Sequence, residues 1–300
     1  MELYKKYRPQ NFSEMIGNEA VIASLQSMIE TKKLPHTLLF SGQSGTGKTT
    51  LARIIAHELG CTDSDVSEMN MSSQELRGIG GVQEITNTLG YKSLSGRPRV
   101  IILDECDQMT SDAQKLLKKP LEDTYEHIYF CLCTTRPEKL VRDIITRATQ
   151  IELELVPVRT LARYLRKIAE QENEQLDTSF AQKIAEKSEG STRKAMVFLD
   201  QVLKVDADKR EKLLNSITAE ENTEAIDLCR ALLKKESWQN LATILKTLKT
   251  DAESTRYVVL AYMNSVLLSQ GNRRACEIII RFSTQFYTPA ELTCACFELA

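Results

Sequence analysis

The hydrophobic pattern changes character near residue 155. Before that point short apolar runs at Thr37–Ser41, Val100–Leu103, Ile128–Cys133 and Thr149–Leu153 alternate with longer segments of helical spacing. Strand–helix alternation predicts a parallel sheet, and strands covered on both faces lose their polar alternation. From Val158 to Val205 the strand pattern stops, and amphipathic stretches predict helices over residues 158–173, 177–188 and 191–204. Glu189-Gly190-Ser191 punctuates them: a glycine stops one helix and a serine can cap the next. Beyond Asp206 the spacing is helical again, with Gly271 and Pro289 as breakers. The pattern predicts an α/β fold in three units, 1–154, 155–206 and 207–300.

Between the first predicted strand and the helical run Leu51-Ala52-Arg53-Ile54-Ile55-Ala56 lies Gly42-Gln43-Ser44-Gly45-Thr46-Gly47-Lys48-Thr49. This is the GxxxxGKT phosphate loop of nucleoside triphosphatases, placed at the strand-to-helix turn where it belongs. Gly42, Gly45 and Gly47 let the backbone close around a triphosphate and aim its N–H groups at the β-phosphate. Lys48 then reaches the β- and γ-phosphates, and the Thr49 hydroxyl binds Mg²⁺. Thr46 and Thr50 belong to the same expected ATP site.

About 55 residues on, Val100-Ile101-Ile102-Leu103 runs into Asp104-Glu105, the second element such a site needs. Asp104 is placed to hold Mg²⁺ through water, and Glu105 to polarise the attacking water. By itself the segment also reads as a strand ending in a solvated acidic turn with Cys106-Asp107. Thr134-Thr135 closes another apolar strand, where a polar tip can touch the γ-phosphate or can be an ordinary turn. Arg147 and Arg193 can each contact phosphate or cover apolar surface with their stems. Spacing leaves these alternatives open.

Composition narrows the class. The chain of 300 residues is 42% hydrophobic, enough for more than one core. Its opening, Met1-Glu2-Leu3-Tyr4-Lys5-Lys6, shows no signal-peptide pattern, and no stretch of about 18 apolar residues predicts a membrane span. A soluble intracellular protein is expected. None of the eight cysteines forms a CxxC pair; Cys131/Cys133 and Cys294/Cys296 are spaced by two, which in a strand gives one face and a poor zinc bite. Buried reduced thiols are expected. The net charge of −2 does not suggest a DNA-binding surface, although it says nothing about a local basic patch.

The segment Lys6-Tyr7-Arg8-Pro9-Gln10-Asn11-Phe12, followed by Ile16-Gly17-Asn18-Glu19, resembles the amino-terminal signature of sliding-clamp loader ATPase subunits, a branch of the AAA+ superfamily. It is similar to both the bacterial tau/gamma subunit and the replication factor C small subunit. The resemblance runs nearly end to end and implies an AAA+ parallel-sheet ATPase domain, a helical lid and an all-helical collar. It further implies that Tyr7, Arg8, Pro9 and Ile16 meet the base and ribose. Thr135 takes the first sensor position with Thr134 as its fallback. Arg147, in Thr146-Arg147-Ala148 where the family has Ser-Arg-Cys, is the finger reaching a neighbour's ATP. Arg193, in Gly190-Ser191-Thr192-Arg193, is the second sensor in the lid. Ser72–Ile79 is similar to the segment before a pore-lining helix, so Arg77 is the leading DNA contact, with Lys118 and Lys119 behind it. Arg77 also reads as a solvated loop arginine, and Lys115, Lys118 and Lys119 as a wet helix face.

Two departures stand out. Pro120 falls inside the lysine-bearing helix and predicts a kink or an early stop that bears on coupling between DNA and ATP. The four-cysteine insert of bacterial tau/gamma subunits is missing between Cys61 and Met69, which brings the chain closer to replication factor C small subunits or a phage-encoded loader. The resemblance implies a DNA- and clamp-stimulated ATPase that opens a sliding clamp and loads it onto primer-template DNA. Its cofactors would be ATP and Mg²⁺. Its partners would be the other subunits of a ring, five in all, the clamp and the DNA backbone, with no membrane. The expected location is the cytoplasm, at the replication fork, or the host cytoplasm for a phage protein. Clamp contact is expected near Met109–Leu117. The alternatives are a non-hydrolysing subunit of such a ring, or another AAA+ DNA remodeller such as a helicase loader or a branch-migration motor.

Overall fold

Five parallel strands form one sheet in the order β2-β3-β4-β1-β5. They are β1 (Thr37–Ser41), β2 (Val66–Asn70), β3 (Arg99–Asp104), β4 (Ile128–Thr134) and β5 (Thr149–Glu152). The computed structural model describes residues 2–93, 96–123, 125–248, 252–286 and 288–300. Since every pairing is parallel, the carboxyl ends of β1, β3 and β4 emerge on one edge of the sheet. In an open α/β sheet that edge is where ligands bind.

Strand residues alternate between two cores, as a period of two requires. Leu39, Ile101, Leu103 and Leu132 face one cluster. It is covered by α4 (Ile79–Thr88), α5 (Ser111–Glu122) and α6 (Arg142–Arg147) through Val82, Ile85, Ala113, Leu117 and Ile144. Leu38, Phe40, Val100, Ile102, Cys131 and Cys133 face the other. There α2 (Glu19–Glu30) and α3 (Lys48–Glu58) supply Ile22, Leu25, Leu51, Ile54 and Ile55. At the amino terminus a single turn, α1 (Leu3–Lys6), buries Leu3.

The expected strands are present within a residue or two, and β2 is an addition. Its sequence, Val-Ser-Glu-Met-Asn, carries too little apolar pattern because it is an edge strand with partly exposed side chains. Three further departures have plain physical causes. Met109 and Leu117, expected at a clamp surface, are core residues under α5, so neither can face a partner. The proline at position 120 does not stop α5 there; the helix runs to Glu122, because the proline falls in its last turn where little ladder remains to be lost. Cys294 and Cys296 lie on α14 (Pro289–Glu298), where a spacing of two separates faces: Cys294 is exposed and Cys296 buried.

Helices α7 (Val158–Gln171), α8 (Thr178–Lys187) and α9 (Thr192–Val202) follow the sheet. The Asp177 carboxylate accepts from Ser179 N and the Ser191 hydroxyl from Lys194 N, capping α8 and α9. The chain divides into two compact units, the first ending at Ala207 and the second beginning at Asp208. The second is helical: α10 (Ala207–Lys234), α11 (Trp238–Thr247), α12 (Ala252–Gln270), α13 (Arg273–Arg281) and α14. Its core gathers Leu228, Leu232, Val259, Met263, Ile278 and Phe282. Among the described residues no helix is long and apolar enough to cross a membrane.

Candidate nucleotide site

The loop leaving β1 turns into α3 at Lys48 and depends on left-handed backbone at its glycines, with φ of +136° at Gly42 and +80° at Gly45. A Cβ at Gly42 would stand 2.3 Å from the Leu153 carbonyl oxygen, and one at Gly45 would stand 2.1 Å from the Ser191 hydroxyl. Only glycine satisfies both the torsion and the space. The Ser191 hydroxyl donates to the Ser44 carbonyl at 3.3 Å, so the start of α9 rests directly on the loop.

Lys48 is 8% exposed, and its ammonium donates to the carbonyls of Gly42 (2.8 Å) and Gln43 (2.7 Å). Burial holds its pKa below the ordinary lysine value, against the opposing pull of Cys133 and the carboxylates of Asp104, Asp107 and Glu105. A desolvated ammonium whose partners are neutral carbonyls can exchange them for phosphate oxygens at a gain in charge pairing. Beside it, the Thr49 hydroxyl donates to Asp104 Oδ2 at 2.8 Å, placing two hard oxygen ligands together. Glycine cradle, buried ammonium and paired oxygens fit a nucleoside triphosphate with Mg²⁺.

Asp104 ends β3, and its Oδ1 accepts from Glu105 N at 3.0 Å. Glu105 is exposed and adopts φ +52°, a left-handed conformation that non-glycine residues hold only where the surroundings impose it. At the tip of β4 the two threonines differ. Thr134 is 1% exposed, donates to Asp107 Oδ1 at 2.7 Å and accepts from Arg136 N at 2.9 Å. Thr135 is exposed and lines the cleft, its side chain making no hydrogen bond among the described residues.

The opposite wall comes from the amino-terminal segment. Tyr7, Arg8, Pro9, Met15 and Ile16 face the loop, with Tyr164 and Met196 from the helices beyond. Tyr7 donates its phenol to Glu172, whose carboxylate also pairs with Lys6 at 2.6 Å. Hydrogen bonds from Lys6 and Tyr7 hold the Glu172 carboxyl below the ordinary carboxylate range. The Tyr164 phenol donates to the Tyr7 carbonyl at 3.3 Å, and burial pushes its pKa up to about 12. Arg193 points its guanidinium over the Tyr4 ring at 5.3 Å.

One cleft thus collects Tyr7, Arg8, Pro9, Ile16, Gly45, Thr46, Gly47, Lys48, Thr49, Thr50, Asp104, Glu105, Thr135 and Arg193. Gly42 stands behind it and offers its carbonyl to Lys48. Arg147, Arg77, Lys118 and Lys119 are not in its lining. Arg147 ends α6 and donates to the Asp143 carbonyl at 2.8 Å and to the Glu122 carboxylate. Arg77 is exposed, and its carbonyl accepts from Thr110 N, the cap of α5, at 2.9 Å. Lys118 pairs with Asp143, while Lys119 is exposed on the last turns of α5.

Sequence reasoning missed Tyr4, Tyr164 and Met196, which arrive from distant segments with no local motif. It also missed Gln114, a buried amide that donates to the Met109 carbonyl at 3.2 Å and accepts from Val141 N at 2.8 Å. A glutamine at a core-facing helical position was the available signal.

The fold and this cleft define a phosphate-loop nucleoside triphosphatase. Residues 38–155 match the family described as ATPase family associated with various cellular activities (AAA). The replication factor C small subunit of Methanococcus vannielii is 30% identical over 74% of this chain and 71% of its own length. DNA polymerase III subunit gamma/tau of Mycobacterium tuberculosis is 32% identical over 69% of this chain. The chain spans 40% of the length of that subunit. Among solved structures, the Thermotoga maritima RuvB Holliday junction branch migration motor superposes with a TM-score of 0.62 at 21% identity, over 90% of each chain, a likeness of fold. The chain belongs to the AAA ATPases and, within them, to the clamp-loader group of replication factor C small subunits and gamma/tau subunits.

Proposed function

We propose that this chain is an ATPase subunit of a DNA-replication clamp loader, which binds ATP in a ring of subunits, opens a sliding clamp and closes it around primer-template DNA. The observation that carries the reading is the convergence of Lys48, Thr49, Asp104, Glu105 and Arg193 on one cleft, in a chain of clamp-loader kinship. Lys48 and Arg193 neutralise phosphate charge, Thr49 and Asp104 hold Mg²⁺, and Tyr7 to Pro9 with Ile16 hold the base. Glu105 orients the attacking water and Thr135 contacts it or the γ-phosphate. Mg²⁺ held by Thr49 and Asp104 would supply charge neutralisation to the triphosphate. ATP acts as an effector of assembly, and hydrolysis ends the assembled state.

Arg147 sits outside its own cleft, at the exposed end of α6, which suits a finger offered to the neighbouring subunit. A finger supplied in trans makes hydrolysis depend on ring assembly. Arg77 and the amino terminus of α4 suit phosphate contacts that fix position without reading sequence. Lys118 and Lys119 lie about 12 Å further along α5 from its Thr110 cap, so they would meet the DNA backbone at a different point from Arg77. The proposed division of labour assigns residues 1–154 to ATP binding, 155–206 to the lid and 207–300 to the collar.

The test is steady-state ATP hydrolysis by the chain with its co-purifying partners, with and without primer-template DNA and clamp. Stimulation by DNA and clamp together, abolished by Lys48→Ala and by Arg147→Ala, supports the reading. Hydrolysis indifferent to DNA and clamp, or surviving Arg147→Ala in the assembled ring, favours another AAA+ activity instead.

A further inference from the structure

Two residues past Glu105, in the 3-10 turn Cys106–Gln108, the Asp107 side chain is 2% exposed. Its oxygens collect donors from both strand tips. Thr134 donates to Oδ1 at 2.7 Å; Arg136 donates to Oδ2 through Nε at 3.0 Å and Nη2 at 2.7 Å; Gln108 adds a bond of 2.8 Å. The ladder between β3 and β4 ends at the pair Leu103 and Leu132. Beyond that pair the tips bearing Glu105 and Thr135 have no ladder between them. The Asp107 carboxylate bridges them where the sheet does not, and it lies in the turn that directly follows the left-handed Glu105 (φ +52°).

We propose that Asp107 and Arg136 are positioning residues, an ion pair that sets the Glu105 carboxylate against the Thr135 hydroxyl for hydrolysis while touching no nucleotide themselves. This rests on the reading of Glu105 and Thr135 as hydrolysis groups. Neither Asp107 nor Arg136 lines the cleft. Stability alone is a poor reason for the pair, since well-packed apolar residues of similar volume often serve a fold as well or better. Charge-assisted bonds from two of the three guanidinium nitrogens add directional precision that apolar contact lacks. Their neighbours in sequence are Glu105 and Thr135, where such precision matters: a misplacement of about 1 Å can lower a rate about 100-fold.

The test uses the chain with its co-purifying partners. ATP affinity is measured by displacement of a fluorescent nucleotide, hydrolysis at saturating ATP, and unfolding temperature with ADP present. Asp107→Asn removes the charge at constant shape; Arg136→Lys keeps the charge and removes the fork; Arg136→Ala removes both. The expected result is a fall in kcat of about tenfold or more for Asp107→Asn and Arg136→Ala, with ATP Kd within about twofold of wild type. Arg136→Lys recovers part of the rate, and the double variant Asp107→Asn with Arg136→Ala is no slower than the worse single one. A kcat within about twofold of wild type in the folded single variants, or a rise in Kd matching the fall in rate, overturns the proposal. Should Asp107→Asn fail to fold, the Arg136 variants decide, because that guanidinium is partly exposed. Hydrolysis that survives Glu105→Gln defeats the underlying reading. Hydrolysis that needs Glu105 but ignores Asp107 and Arg136 defeats the ion pair alone.

Discussion

The Thr49 hydroxyl donates to Asp104 Oδ2 at 2.8 Å, tying the first turn of α3 to the end of β3 across the intervening strand β4. The bond aligns two oxygens that belong to different elements, and alignment is what a divalent ion with strict geometry requires. Thr49→Ala should move the Mg²⁺ dependence of hydrolysis to higher concentration and lower the saturated rate by about tenfold or more, while Thr49→Ser stays near wild type. The fold should hardly notice, since one hydrogen bond contributes about 1 kcal/mol net. A Mg²⁺ titration of the hydrolysis rate checks this; an unchanged titration in Thr49→Ala removes the metal role.

Gly45 meets two constraints at once, a φ of +80° and the Ser191 hydroxyl 2.1 Å from where a Cβ would stand. Gly45→Ala should destabilise the first unit by about 1–3 kcal/mol and weaken nucleotide binding. Adding Ser191→Ala removes the clash with the hydroxyl but not the torsional strain, and it also removes the α9 cap, so the cost of Gly45→Ala should be smaller in the Ser191→Ala background than in wild type. Thermal unfolding of both single variants and the double variant separates the contributions, and a Gly45→Ala cost that vanishes in the Ser191→Ala background would leave the torsion without effect.

Most of the sheet was legible because Leu38-Leu39-Phe40 and Val100-Ile101-Ile102-Leu103 are covered on both faces and show it as unbroken apolar runs. The phosphate loop and Asp104 were legible because their chemistry is contained in a short span. Asp107 was not: next to Asp104-Glu105 it reads as one more acid in a solvated turn, and its partner Arg136 is 29 residues away. Burial of a charge by a distant strand tip leaves no local mark. Met109 and Leu117 mislead for the related reason that an apolar residue on an amphipathic helix looks alike whether it faces a core or a partner.

The threonines at the tip of β4 should separate structure from chemistry. Thr134→Val strands a buried oxygen of Asp107 and should destabilise the fold by about 1–3 kcal/mol. Thr135→Ala removes an exposed hydroxyl and should leave stability within about 0.5 kcal/mol of wild type, yet lower hydrolysis. Denaturant titration beside ATPase assays on both variants gives the answer. The reverse outcome, a stable Thr134→Val with impaired hydrolysis and an active Thr135→Ala, exchanges their roles.

Leu117 is fully buried between α5 and the sheet. Leu117→Ala should therefore lower folding stability by about 2–5 kcal/mol, through lost transfer energy and the cavity left behind. Chemical denaturation reads this directly. A substitution that left stability intact would return Leu117 to the list of surface residues.

Thiol chemistry offers a check on both units. Cys294 is exposed and should react first with an alkylating probe, whereas Cys106, Cys131, Cys133, Cys229 and Cys296 are buried and should wait for unfolding. Burial pushes Cys61 up to about 11 and Cys131 up to about 12, from an ordinary value of 9.0. A raised native pKa means the folded state keeps a proton that the unfolded state gives up. The associated stability is whole below pH 9.0 and is lost as pH climbs from there toward the native value near 12 for Cys131. Each such thiol steepens the alkaline decline by up to about 1.4 kcal/mol per pH unit, so Cys131→Ala should flatten it measurably. Unfolding free energies taken at several pH values above 9.0 decide the point. Identical slopes for wild type and Cys131→Ala would show that the thiol ionises in the folded chain as easily as in the unfolded one, contrary to its burial between the strands and α3.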